Sequence, residues 1–162
     1  MIVNIIRRFM CYKPQYKPVR VQYASGLFVD LLNKPPSYYV RPVEPTLVLN
    51  GNISKVNSVQ LRNFMIYCSR NWDNVLYVPG LYELSSEKSR LAAEQVLDNV
   101  FSNYYNTHLM ANHSLYIRAE HTYFLGTSYI CAADKTWLKT AISHIDKGCN
   151  RIVIISPGFS NI

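Results

Sequence analysis

The sequence contains few cysteines, and their positions exclude two common classes of small protein. The four cysteines form no CxxC pair and no regular spacing; they are Cys11, Cys68, Cys131 and Cys149. Structural zinc sites and disulfide frameworks both need such patterns, so we predict neither. Scattered single cysteines are typical of a reducing environment, where most of them serve as small core residues. We therefore expect an intracellular, reducing compartment such as the cytoplasm.

The sequence also lacks a long apolar run. Residues 1–10 (MIVNIIRRFM) are apolar but are interrupted by Arg7 and Arg8. Crossing a bilayer takes about 20 apolar residues, so this stretch is too short, and it has no small-residue cleavage site. The sequence therefore predicts no membrane span.

Patterns that bind metals or form nucleophiles are missing as well. The four histidines have none of the spacings that bind metal ions in proteins; they are His108, His113, His121 and His144. Residues 156–158 (Ser-Pro-Gly) do not form the G-x-S-x-G turn that carries a catalytic serine in hydrolases. We therefore predict no cofactor, no metal ion and no serine nucleophile.

Charge is scarce overall and unevenly placed. Charged residues make up 17% of the chain, below the usual quarter, whereas 49% apolar residues suffice for the core of one domain of 162 residues. Residues 1–42 hold seven Lys or Arg and one acidic residue, and the other 120 residues hold ten and nine. Residues 1–18 are therefore predicted to be a basic arm that binds an acidic partner, namely a nucleic acid, an anionic membrane surface or an acidic protein face, or else a solvated basic segment.

Apolar periodicity predicts a layered α/β domain over residues 19–162. Strands are expected at residues 19–24, 46–50, 75–78 and 151–155, the last three of them buried, with two short strands or a hairpin in 115–130. Amphipathic helices are expected at residues 58–70, 87–105 and 135–147, with Ser58, Ser86 and Asp134 as their N-caps. Four prolines within residues 30–46 exclude a regular helix there. Strands alternating with amphipathic helices are typical of a layered α/β fold.

Five short segments near the predicted strand ends follow an order that resembles one known family. The clearest is VLYVPGLYE at residues 75–83, which differs at two positions from the pattern V-x-Y-V-P-G-N-H-E. The other four segments are Ala24–Asp30 (ASGLFVD), Leu47–Ile53 (LVLNGNI), Tyr123–Thr127 (YFLGT) and Ile152–Pro157 (IVIISP). Over residues 20–160 the chain resembles the calcineurin-like metallophosphoesterases. This resemblance implies a layered sandwich, truncated here because the family's final Gly-His-x-His motif has no counterpart before Ile162.

The resemblance also implies that the metal ligands of that family are lost. Those enzymes clamp two metal ions with Asp, His and Asn, and the ions polarise phosphate and generate a hydroxide nucleophile. Glu83 is kept, and we predict that it holds its turn rather than acts in acid–base chemistry. The positions of the family's ligands are occupied by Gly26, Phe28, Asn52, Leu81, Tyr82 and Ser156. We expect these residues to meet at neighbouring strand ends as a vestigial site.

Three functions are consistent with the sequence. The leading hypothesis is a non-catalytic structural or interaction protein within a larger assembly, such as a virus particle, with the apolar side chains of the arm buried on its own sheet or on another chain. An alternative is nucleic-acid binding, because aromatic residues that stack on bases lie among the basic residues Arg7, Arg8, Lys13, Lys17 and Arg20. A third is a residual metal-dependent phosphoesterase with other ligands.

Overall fold

The computed structural model describes residues 19–118, 121–145 and 152–157, so the predicted arm, residues 1–18, lies outside the described residues. The described residues form seven β-strands and five helices, of which α1 and α3 are single turns. In chain order these are β1 (Val21–Ala24), α1 (Pro36–Tyr39), β2 (Thr46–Asn50), α2 (Val59–Asn71), β3 (Asn74–Val78), α3 (Leu81–Leu84), α4 (Arg90–Phe101), β4 (Thr107–Leu109), β5 (His113–Ile117), β6 (Thr122–Gly126), α5 (Ala132–His144) and β7 (Ile152–Ile155).

The first sheet contains four parallel strands in chain order, β1-β2-β3-β4. All five residues of β2 and four of the five in β3 are buried, because both faces of these strands are covered. This burial explains why both strands are continuous apolar runs rather than alternating patterns. Because parallel strands end at the same edge, the loops that follow β1, β2 and β3 come together there.

The second sheet has the order β5-β6-β7, with β5 antiparallel and β7 parallel to β6. Its inner face packs against the first sheet. Val48 and Leu76 of the first sheet share one buried cluster with Phe124 and Ile155 of the second. The predicted pair of strands within residues 115–130 is confirmed, although β5 begins slightly earlier, at His113.

Helices α2 and α4 cover the opposite face of the first sheet. Their buried residues belong to one cluster with alternate residues of β2 and β3; they are Leu61, Phe64, Met65 and Cys68 of α2 and Ala93, Leu97, Val100 and Phe101 of α4. Burying a large apolar side chain stabilises a fold by about 1.5–3 kcal/mol, so this cluster is a main contributor to stability. The prediction of a layered α/β domain is confirmed at this level.

The predicted start of α4 is wrong by three residues. The helix begins at Arg90 because Ser89, not Ser86, is its N-cap: the Ser89 hydroxyl accepts a hydrogen bond from the N–H of Ala92 at 3.1 Å. Ser86 is engaged elsewhere, since its hydroxyl donates to the backbone oxygen of Glu83 at 2.6 Å. The helix also ends four residues earlier than predicted.

The predicted cap of α2 is confirmed and that of α5 is wrong. The Ser58 hydroxyl accepts a hydrogen bond from the N–H of Leu61 at 3.0 Å, as an N-cap does. Helix α5 begins at Ala132, so Asp134 lies at its third position rather than before it. From there its carboxylate accepts a hydrogen bond from the N–H of Cys131, the actual N-cap residue, at 3.3 Å.

Two further predictions need correction. Residues 30–46 do contain a helical turn, α1, which starts with Pro36 at a position where proline fits because its missing N–H is not needed there.

Strand β7 was predicted as buried, but Ile152 and Ile154 are 43% and 42% exposed. They lie on the outer face of an edge strand, which no described residue covers fully.

Candidate functional site

The loops after β1 and β2 lie side by side at the C-terminal edge of the parallel sheet. The N–H of Gly26 donates to the oxygen of Gly51 at 3.1 Å, and the N–H of Phe28 donates to the oxygen of Asn52 at 3.2 Å. The loop after β2 is tied in turn to β3, because the N–H of Gly51 donates to the oxygen of Val78 at 2.9 Å. The hydrogen bonding of the sheet therefore continues past the strand ends and fixes three loops together.

The backbone of these loops is left-handed at four positions. Gly26 has a φ of 62°, Phe28 of 46°, Gly51 of 69° and Asn52 of 55°. Glycine adopts this conformation freely and asparagine tolerates it, but for phenylalanine it costs on the order of 1–3 kcal/mol. The Phe28 ring packs edge-on against Tyr82 with centroids 5.0 Å apart, a contact that helps to hold the strained residue.

Two glycines allow the loops after β2 and β3 to touch backbone to backbone. A Cβ atom at Gly80 would lie 2.9 Å from the Cα of Gly51, and one at Gly51 would lie 2.8 Å from the Cγ of Pro157. Pro157 follows β7, so the second sheet also contributes to this edge. Ser156, the neighbouring residue, is buried on the same side of the fold.

Glu83 is the central polar residue of this edge, and its side chain is fully buried at the third position of α3. Its carboxylate accepts hydrogen bonds of 2.5–3.3 Å from five neutral donors, the backbone N–H groups of Asn52, Ile53, Ser54 and Gly80 and the hydroxyl of Tyr77. Burial and the adjacent carboxylate raise the pKa of Tyr77 well above its usual value, which keeps its hydroxyl a donor. The prediction that Glu83 holds the turn is confirmed.

Asn52, Tyr82 and Asp30 are linked by two hydrogen bonds across the same edge. The side-chain oxygen of Asn52 accepts a hydrogen bond from the N–H of Tyr82 at 3.2 Å. The Tyr82 hydroxyl donates to Oδ2 of Asp30 at 2.8 Å. Burial of the hydroxyl and this hydrogen bond raise the pKa of Tyr82 to about 12, so it stays protonated at neutral pH. Sequence analysis gave Asp30 no role, because its partner lies 52 residues away in the chain.

Three exposed leucines flank the hydrogen bond between Asp30 and Tyr82, and we call them the leucine rim. Leu31 and Leu32 follow Asp30 and are 64% and 50% exposed, and Leu81 precedes Tyr82 and is 66% exposed. The structure thus brings Gly26, Phe28, Asn52 and Tyr82 together, places Ser156 beside them through Pro157, and leaves the Leu81 side chain in solvent.

The residues at this edge do not fit a two-metal centre. Such a centre needs several carboxylate, imidazole or carbonyl oxygen donors that converge on one point. Here both oxygens of Glu83 and Oδ2 of Asp30 accept hydrogen bonds from neighbouring groups, and Asn52 is uncharged. Within the part of the chain that the structure describes, Oδ1 of Asp30 is buried without a hydrogen-bond partner, but a single oxygen is too few for two metal ions. Throughout the described ranges, no three His, Cys, Asp or Glu side chains are grouped so that they could hold a metal ion.

The histidines are spread over separate elements. His108 lies in β4 and His113 in β5, whereas His121 lies in the turn before β6 and His144 ends α5. Burial and repulsion from His113 lower the pKa of His108, so it is neutral at neutral pH. The fold therefore gives these residues no shared centre.

A second polar cluster, which sequence analysis missed, joins α4, α5 and the loop after β4. The buried Asp134 carboxylate contacts two guanidinium nitrogens of Arg90 at 2.8 and 2.9 Å and accepts from Asn112 at 2.8 Å. Burial acts to raise the pKa of Asp134, but these bonds and those from the N–H groups of Ile130 and Cys131 outweigh it and hold the pKa below its usual value. An acidic residue at the third helical position is a local signal for the helix start alone, not for the contacts with Arg90 and Asn112.

Of the five predicted partner-binding residues, the structure describes one, which follows the arm. Arg20 is exposed directly before β1, whereas Arg7, Arg8, Lys13 and Lys17 lie outside the described residues. Of the helices in the described ranges, none has the length and apolar character needed to span a bilayer.

No family model, curated protein or solved structure matches the chain. The resemblance to the metallophosphoesterases is thus carried by the sequence segments alone and stays a prediction.

Proposed function

We propose that this protein is a non-catalytic structural or interaction protein, built on a truncated metallophosphoesterase-like fold, that acts as a component of a larger assembly. The observation that carries this proposal is the state of the edge where the strand ends meet. Both oxygens of Glu83 and Oδ2 of Asp30 are taken up in structural hydrogen bonds, and Oδ1 of Asp30 is left without a hydrogen-bond partner among the described residues. One unpartnered carboxylate oxygen does not supply the set of ligands that phosphate ester hydrolysis by two metals requires.

The leucine rim supports an interaction role for the same edge. Three leucines of at least half exposure lie close in sequence to one hydrogen-bonded pair, Asp30 and Tyr82. Burying one such side chain against a partner contributes about 1.5–3 kcal/mol at most. The three leucines together can therefore supply a substantial part of the free energy of binding. Lys34 follows Leu32 by two residues, but three exposed apolar side chains suit a protein surface better than the phosphates of a nucleic acid.

The basic arm adds a second proposed contact. The net charge of the chain is +7, and most of it lies in residues 1–42. An acidic protein surface within the assembly is the partner that this charge favours, with Arg7, Arg8, Lys13, Lys17 and Arg20 as the contacting residues.

The proposal is tested by the double substitution Leu31→Asp, Leu81→Asp in cells that make the protein naturally. The measured quantity is the fraction of the chain that sediments with complexes much larger than its own 18.7 kDa. We expect the unmodified chain in the large fraction and at least about a tenfold loss for the variant, the effect of about 1.4 kcal/mol of binding energy. The matched control is Val43→Asp, because Val43 is 58% exposed and lies before β2, away from the strand ends.

Two results contradict the proposal. The first is an unmodified chain that sediments as a monomer in the native extract. The second is a complex that nuclease treatment dissolves and that the leucine substitutions leave intact, which is the behaviour of a nucleic-acid-binding protein with a steep salt dependence.

A further inference from the structure

Strand β7 has one edge that no described residue pairs. On its other side, the N–H of Thr127 donates to the oxygen of Ile155 at 3.1 Å, so the backbone groups of Ile155 face β6. Backbone groups alternate in direction along a strand, and those of Ile152 and Ile154 therefore face away from β6. Residues 152–155 (IVII) contain no charge and no proline, the usual means of protecting a free edge.

Strand β1 is partly uncovered on the face that looks toward the second sheet. Its residues Val21 and Tyr23 pack against the cluster between the sheets but are only half-buried. The equivalent side chains of the neighbouring strands, Val48 of β2 and Leu76 of β3, are 2% and 0% exposed. Protection from solvent thus stops at β1.

The unpaired edge of β7 and the partly uncovered face of β1 border the same gap. The end of β6 lies over the end of β3, because the Ser128 hydroxyl donates to the oxygen of Pro79 at 2.8 Å. The end of β7 lies over the end of β2, where Pro157 approaches Gly51. Among the described residues, the second sheet has no strand over β1, although the free edge of β7 is the place where one would pair.

We propose that residues 2–10 of this same chain fill the gap, pairing with the free edge of β7 and covering Val21 and Tyr23. Val19, two residues before β1, packs against the cluster between the sheets, so the described part of the chain starts beside the gap. The intervening residues 11–18 span up to roughly 26 Å when extended, more than the ~10 Å between packed sheets.

The composition of residues 2–10 fits this place. The segment is rich in β-branched and other large apolar residues, namely Ile2, Val3, Ile5, Ile6, Phe9 and Met10, which favour strands and suit a half-buried surface. A tethered segment has an effective concentration of the order of mM, which favours it over a second copy at ordinary concentrations. Arg7, Arg8, Lys13 and Lys17 then lie beside the second sheet, within reach of an acidic partner.

The test is hydrogen exchange of single backbone amides, measured by NMR on the full chain. We expect the outward amides of Ile152 and Ile154 to be protected by at least about a hundredfold, comparable to those of Val153 and Ile155, which face β6. The triple substitution Ile2→Ser, Ile5→Ser, Ile6→Ser should remove at least about tenfold of this protection from the outward amides only. The matched control Arg7→Gln, Arg8→Gln keeps the apolar side chains and should leave it unchanged.

Two results overturn the proposal. One is free exchange of the outward amides in the unmodified chain. The other is protection that rises with protein concentration, which shows that a second copy pairs with the edge. If the serine variant fails to fold, nuclear Overhauser contacts in the unmodified chain decide the question: contacts between residues 2–10 and Ile152 or Ile154 support the proposal, and protection without such contacts overturns it.

Discussion

Replacing Glu83 by glutamine removes one acceptor oxygen from the centre of the strand-end edge while keeping the size of the side chain. In the native protein Oε1 accepts three hydrogen bonds and Oε2 accepts two, from the N–H groups of Asn52 and Gly80. The amide oxygen of glutamine is best placed at the Oε1 position, where it keeps three donors. The amide NH₂ then faces the two remaining N–H groups, so donors meet donors in a buried site.

The size of the effect follows from those two donors. A buried donor without an acceptor costs about 1–3 kcal/mol, so Glu83→Gln should lower the free energy of unfolding by about 2–6 kcal/mol. That loss is a large part of the total free energy of unfolding of a folded domain, which is about 5–15 kcal/mol. Tyr77→Phe removes one donor and leaves the carboxylate with four, so it should cost only about 0.5–1.5 kcal/mol.

The measurement is urea unfolding followed by circular dichroism at neutral pH. Glu87→Gln is the matched control, because Glu87 is a surface carboxylate that contacts Asn57, and its replacement should change stability by less than about 0.5 kcal/mol. A loss below about 1 kcal/mol for Glu83→Gln would refute the view that this carboxylate holds the loops together.

Two further predictions concern catalysis and pH. The purified protein with added Mn²⁺ or Zn²⁺ should not hydrolyse phosphomonoesters or phosphodiesters above the buffer rate, because the one carboxylate oxygen of the edge that no described residue pairs, Oδ1 of Asp30, cannot hold two metal ions; turnover that a chelator abolishes would contradict this. The pKa of Asp134 is lower in the folded protein than in the unfolded chain, where it is about 3.9, so its stabilising contribution is complete above that value and is lost as pH falls toward the native pKa. Urea midpoints measured from pH 6 down to pH 2 should therefore fall more steeply for the unmodified protein than for Asp134→Asn, and equal slopes would count against the Arg90 pairing.

The two central strands, β2 and β3, could be predicted from sequence because strands that are buried on both faces have a distinct sequence pattern. Strands β2 and β3 were placed to within one residue, since each is a short apolar run followed by a turn. Strand β4 was missed, because three residues (Thr-His-Leu) carry no apolar pattern and gain their place from pairing with β3. The start of α4 was missed because Ser86 and Ser89 are equally good caps locally, and Ser86 is engaged by Glu83.

At the candidate site, the role of Glu83 could be predicted because it lies in one turn with Gly80. The other polar contacts could not. Asp30 and Tyr82 are 52 residues apart, and Asp134 is 44 residues from Arg90. Contacts over such distances depend on how the sheets and helices pack, which no local pattern encodes.

The hydrogen bonds of Glu83 also bear on how long the folded protein lasts. Its partners on the loop after β2 lie about 30 residues earlier in the chain, as the 30-residue separation from Ile53 shows. We expect these bonds to form late in folding, because the two loops meet only after β2, α2 and β3 have docked. Contacts that are absent from the transition state govern the rate of unfolding rather than the rate of folding. Glu83 should therefore set the lifetime of the folded state, the quantity that matters most for a protein that remains in an assembly.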